Sequence, residues 1–139
     1  MTGKTLLDSN IWVYALTVDD PEKRAKALAL ISGNFDEIVL TPQILLETYH
    51  VLCRKKSTAP PESFSSIEAM PATFPVQSIS AATFTLAVET KKATGYTIWD
   101  SMVLAAALEA GCETVYSEDM QDGRLINGSL RIVNPFVSK

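Results

Sequence analysis

The chain has 139 residues, 47% of them hydrophobic and 20% charged, with a formal net charge of −4 at pH 7. Those values predict one globular domain over residues 1–139 with a sizeable core, and exclude a disordered chain. No apolar run nears the roughly 20 residues that span a bilayer, the acidic balance argues against nonspecific DNA binding, and the single His50 excludes a zinc site built on several histidines.

The first twenty residues lack a signal peptide's long apolar stretch and small-residue cleavage site, so a cytoplasmic protein is expected. "KTLLDSN" reads as a short buried strand over 4–8, running into a helix in "NIWVYALT". Asp20-Pro21 is an N-cap with proline at the first helical position, opening a helix that stops at Gly33-Asn34. "EIVL", 37–40, is a strand, and Thr41-Pro42 repeats the cap-plus-proline signal for a helix through about Lys56. "STAPPESFSSIEAMPATFP" is broken by prolines and reads as a loop, a short helix around 61–70 and a turn. "VQSI" is a strand; Ser80 then caps a helix through Lys92 that Gly95 ends. A further helix lies between Thr97 and Gly111, and the strands "TVYS", 114–117, and "RIVN", from 131, complete the chain. Alternating strands and helices predict an α/β three-layer sandwich with a mainly parallel central sheet. Cys53 and Cys112 sit in apolar helical patterns and read as small core residues, as does Trp99.

The run "TIWDSMVLAAALEAG", 97–111, is apolar all the way round at 100° per residue, which is the pattern of a buried helix. Asp100 interrupts it. The spacing from Thr97 to Asp100 fits a capping box, and the helix dipole favours a negative charge in the first turn. A carboxylate facing packed protein otherwise needs a compensating charge, because an unpaired buried ion costs on the order of several kcal/mol.

Three further acids occupy comparable places. In open parallel sheets, ligand sites lie beyond the carboxyl ends of the strands. Asp8 closes the first strand, and Asp119 lies two residues past Ser117 after a later one. Glu47, in "PQILLETYHVLCRKK", falls roughly 40° outside Val51, at the margin of that helix's apolar face. Each has a plainer role available: Asp8 as a cap, Glu47 as a solvated helix residue, Asp119 as a turn residue. Taken together, the placements permit all four to meet at one sheet edge. Clustered carboxylates repel one another, a conflict that Mg²⁺ or Mn²⁺ resolves through oxygen ligation, and such a cluster suits phosphodiester hydrolysis.

Asp8 in "LLDSNIWVYA", Glu47 in "ILLETYHVL", Asp100 in "TIWDSMVLAAAL" and Asp119 in "VYSEDMQDG" follow in an order that resembles the PIN-domain ribonucleases, in particular the VapC-type toxins of bacterial toxin–antitoxin pairs. The resemblance extends to the closing "LRIVNPF". It implies a PIN-like fold and a Mg²⁺- or Mn²⁺-dependent endoribonuclease, dimeric and silenced by a cognate antitoxin. Asp8 and Asp100 match the acids that hold the metal most directly, Glu47 and Asp119 those that complete the pocket, and Ser117 a supporting hydroxyl. Glu118 and Asp122 stand near enough in sequence to serve in place of Asp119 or to support it.

Cations for substrate phosphates are sought in "RKK", 54–56, in Lys91-Lys92, and in Lys23, Arg24 and Lys26, several of which equally suit a helix C-terminal dipole. Tyr14, Tyr96 and Trp99 are candidates for stacking on unpaired bases. The helix from 21 to 33 and the 57–75 segment are plausible walls of an antitoxin groove. Two rival readings remain: a haloacid-dehalogenase-like phosphohydrolase, in which Asp8 is a nucleophile but Asn10 stands where a second acid belongs, and a non-enzymatic α/β interaction module.

Overall fold

The computed structural model describes residues 3–55 and 57–137; Lys56, where the third helix and the "RKK" run were expected to end, lies outside them. In chain order the elements are β1 (Thr5–Leu7), α1 (Ser9–Leu16), α2 (Pro21–Gly33), a 3-10 turn (Phe35–Glu37), β2 (Ile38–Val39), α3 (Pro42–Arg54), α4 (Pro61–Thr73), α5 (Ala81–Thr94), α6 (Ile98–Glu109), β3 (Thr114–Tyr116), β4 (Leu125–Ile126) and β5 (Leu130–Val133).

The predicted caps account for the helix starts. Asp20 accepts from Lys23 N–H at 3.1 Å, Thr41 from Ile44 N–H at 3.1 Å and Thr97 from Asp100 N–H at 3.1 Å. Gly95 ends α5 with φ +80°, a left-handed conformation that glycine adopts without steric cost.

The strands form one sheet in the order β2-β1-β3-β5-β4, parallel except for β4, which pairs antiparallel with β5. This is the mainly parallel, helix-flanked α/β architecture that the alternation predicts. Leu6 and Leu7 of β1, Val115 of β3 and Ile132 of β5 are fully buried, as expected for interior strands of such a sheet. The chain leaves β1 to build β2 on one side and returns through β3 on the other, so the strand order reverses at β1. That reversal is the topological switch point at which α/β sheets open a crevice.

Several expectations are corrected. "VQSI" forms no strand: Val76 makes a single parallel bridge to Leu40 beyond the end of β2, and Ser80 begins the next helix too soon for a ladder to grow. The hairpin of β4 and β5 was not anticipated, although the Asn127-Gly128 pair at its tip, φ +53° and +72°, is a turn signal. The helix placed at 61–70 continues to Thr73 with Pro71 inside it.

Cys53 is exposed, because α3 turns Ile44, Thr48 and Leu52 inward and Cys53 falls about 100° from Leu52. Cys112 is buried, and that burial pushes its thiol up to about 11, which leaves it unreactive. Trp99 is 68% exposed. The helix α6 buries its middle, from Ser101 to Ala107, mainly against α5, while its first turn projects past the packed layer.

Candidate functional site

The register of the sheet builds the site. β1 and β3 pair Thr5 with Thr114, Leu6 with Val115 and Leu7 with Tyr116, so Asp8 and Ser117 are the next residues out, side by side beyond the carboxyl ends of adjacent strands. The Asp8 N–H still donates to Tyr116 C=O at 2.9 Å. The Asp8 side chain turns into the crevice, where it is only 4% exposed. One carboxylate oxygen caps α1 by accepting from Ser9 N–H at 2.8 Å; the other accepts from the Ser117 hydroxyl at 2.7 Å. The capping role and a role in the pocket therefore coexist on opposite oxygens.

The remaining acids surround this point. Asp100 stands in the first turn of α6, half-buried rather than enclosed, and Glu47 is half-buried on α3. Asp119 is exposed on the loop after β3, where its backbone N–H donates to Ser117 Oγ at 3.2 Å. Burial pushes the Asp8 carboxyl up to about 6, and the hydrogen bonds from Ser117 and Ser9 oppose that rise while Asp100 and Glu47 add to it. Glu47 is raised by burial, and further by Asp100 and Asp119, against a lowering contact from Gln43. Asp100 is raised by burial and by Asp119, with the Thr97 hydroxyl opposing. Asp8, Glu47 and Asp100 thus each feel the charge of another carboxylate of the group, and no lysine or arginine figures among the groups that shift these three.

The other acids are engaged elsewhere. Glu118 pairs with Lys23 of α2 and accepts from the Tyr14 hydroxyl, and Lys23 lies over the Tyr14 and Phe136 rings. Asp122 accepts from Asn134 N–H at 2.8 Å, anchoring the segment after β5. Of the sought cations, Lys23 is thus committed to Glu118 and Lys55 to Asp19 at 2.7 Å, while Lys91 and Lys92 sit in the last turn of α5, where they complement its dipole.

Two residues belong to the site that the acid pattern alone did not pick out. The Asn10 side chain reaches Asp119, Ser117 and Asp8, and Gln43 contacts Glu47 while donating to Trp99 C=O at 3.0 Å. Gln43 was findable, since it precedes Glu47 by four residues on one helix. Asn10 was visible only as the polar residue two places after Asp8.

The residue types suit a hard divalent cation, with oxygen donors only and mutual repulsion awaiting neutralisation. As placed, no group of three or more His, Cys, Asp or Glu side chains among the described residues stands close enough to hold an ion. A shared ion would need these side chains to move closer together.

A family model described as the PIN domain matches residues 5–122, from β1 to the loop that carries Asp119 and Asp122. The chain belongs to the PIN-domain family. No curated protein matches the sequence of this PIN domain. Its fold is similar to that of Mycobacterium tuberculosis VapC20, a toxin that cleaves the sarcin–ricin loop, with a TM-score of 0.69 at 16% identity over 84% of this chain and 90% of that one. It is similar to a chain of a toxin–antitoxin complex from Klebsiella pneumoniae, TM-score 0.72 at 16% identity over 96% and 98% of the two chains. A chain of DNA-bound VapBC from Salmonella typhimurium matches at TM-score 0.66 and 18% identity over 94% and 97%. At these identities the likeness concerns the fold.

Proposed function

We propose that this PIN domain is a Mg²⁺- or Mn²⁺-dependent endoribonuclease and the toxin of a toxin–antitoxin pair, acting in the cytoplasm as a homodimer. The observation that carries the reading is the placement of Asp8, Glu47, Asp100 and Asp119 around the switch point of the sheet, where Asp8, Glu47 and Asp100 are raised by burial and by neighbouring carboxylates and no lysine or arginine figures among the groups that shift them. The family and the toxin folds it resembles support the same reaction class.

In this reading Asp8 and Asp100 hold the cation most directly, and Glu47 and Asp119 complete the pocket. Ser117 donates to one Asp8 oxygen and Ser9 N–H to the other, so the Asp8 carboxylate is oriented before any ligand arrives. Asp122 supports the wall from outside, through Asn134. When bound, the cation supplies charge to the phosphate oxygens and acidifies water for attack. The exposed Trp99, one residue from Asp100, offers a face on which an unpaired base stacks. The antitoxin is a protein partner, as the toxin–antitoxin complexes with the same fold suggest.

The test is cleavage of a structured RNA by the purified chain with Mn²⁺ and with excess EDTA, comparing wild type with Asp100→Asn. Cleavage that requires Mn²⁺ and falls at least a hundredfold in the variant is expected; undiminished cleavage in EDTA overturns the reading. A phosphoenzyme trapped on Asp8 would instead mark the haloacid-dehalogenase-like alternative.

A further inference from the structure

Asn10 is the second residue of α1, and its side chain is spent on the loop after β3 and on Asp8 at the end of β1. Its amide nitrogen lies 3.1 Å from Asp119 Oδ2, 3.4 Å from Ser117 Oγ and 3.5 Å from Asp8 Oδ2. Its carbonyl oxygen accepts from Glu118 N–H at 3.3 Å. One amide therefore grips the backbone at 118 and the carboxylate at 119 simultaneously. Among the described residues no other group donates to the Asp119 carboxylate, which otherwise projects from an exposed loop.

The chemistry of an amide suits this place. It brings two N–H donors and one acceptor on a short planar group with no charge. A carboxylate here would add a fifth negative group to a pocket already raised by repulsion, and an alanine would leave Asp119 with no tie to α1. The amide nitrogen has no free lone pair to offer a cation, and the oxygen already accepts from Glu118 N–H.

We propose that Asn10 is a positioning residue, which ties Asp119 to the Asp8–Ser117 side of the crevice and so limits how far its carboxylate swings away from the pocket. This inference rests on the metal-dependent reading above and names the group that organises its exposed acid. Asn10 acts through Asp119, by restricting the carboxylate to the inward-facing part of its range before the cation binds. Partner groups beyond the ligands themselves typically change metal affinity by about 10- to 100-fold when removed.

The experiment is a calorimetric Mn²⁺ titration of the full chain in four forms: wild type, Asn10→Ala, Asp119→Ala and the double variant. Mn²⁺ binding about tenfold weaker in Asn10→Ala is expected. The double variant should then bind as Asp119→Ala does alone, because a residue acting through another loses its effect once that other is gone. Wild-type affinity in Asn10→Ala overturns the inference and leaves the metal reading standing, and so does a double variant in which the two losses multiply. A wild-type chain that takes up no Mn²⁺ removes the metal reading and this inference with it. Melting without metal reports folding of each form. If Asn10→Ala does not fold, Asn10→Ser carries the same cycle against the same criteria.

Discussion

Asp8 is asked to do two things that pull its carboxyl in opposite directions. Burial disfavours its charge, while the bonds from Ser9 N–H and the Ser117 hydroxyl favour it, and burial prevails, with the carboxyl at about 6 instead of 3.8. The folded chain therefore holds this proton more tightly than the unfolded chain does. Raising the pH from about 4 to about 6 ionises the unfolded chain first, so metal-free stability falls through that window and levels off above it. The displacement corresponds to at most about 3 kcal/mol. Thermal melts in EDTA should show this decline in wild type and a flatter profile in Asp8→Asn, with the variant melting at or above wild type at pH 7. A variant that melts far below wild type at every pH would show that the cap on α1 outweighs the relief of burial. Cleavage by Asp8→Asn should be lost in either case.

Among the elements, α6 shows most directly how packing and chemistry share a segment. Its central residues are buried on every side, which is why a run with no polar face is stable here, and Leu104 is fully enclosed. Leu104→Ala should cost about 2–5 kcal/mol in a urea melt, the range for a cavity in a close-packed core. The first turn follows different rules. Thr97 caps it through Asp100 N–H and its hydroxyl also lowers the Asp100 carboxyl, so one residue starts the helix and steadies the acid. Thr97→Ala should cost about 1 kcal/mol of stability and, unlike Leu104→Ala, should also weaken Mn²⁺ binding measured below the melting transition. Equal Mn²⁺ affinity in Thr97→Ala and wild type would confine Thr97 to capping.

For the molecule as a whole, the net charge of −4 is less informative than where the acids stand. Glu118 and Asp19 are paired with lysines, whereas Asp8, Glu47 and Asp100 at the switch point are raised by burial and by the carboxylates around them. A ligand that binds only the folded state stabilises it by about 2.7 kcal/mol at a hundred times its dissociation constant. Mn²⁺ should therefore raise the melting temperature at pH 7, and Asp8→Asn/Asp100→Asn should show no such rise. A calorimetric scan with and without Mn²⁺ checks both. An equal rise in the double variant would place the stabilising cation elsewhere.

Local rules in the sequence determined much of this chain. The caps at Asp20, Thr41 and Thr97, the stop at Gly95 and the buried pattern of α6 all arise from interactions within a few residues, and each could be read from spacing. The alternation of strands and helices, and the placing of Asp8 and Asp119 just past strand ends, were equally local. Only the tertiary structure decided what lies beside what. The exposure of Trp99 and Cys53 depends on which helix covers which face, and the failure of "VQSI" to form a strand depends on where β2 ends. Strand order is likewise a property of the whole sheet: β1 had to find β3, more than a hundred residues on, in the register that sets Asp8 beside Ser117. That pairing also brings Asn10 within reach of Asp119, and no periodicity along the chain encodes a contact between two segments that meet only when the sheet is complete.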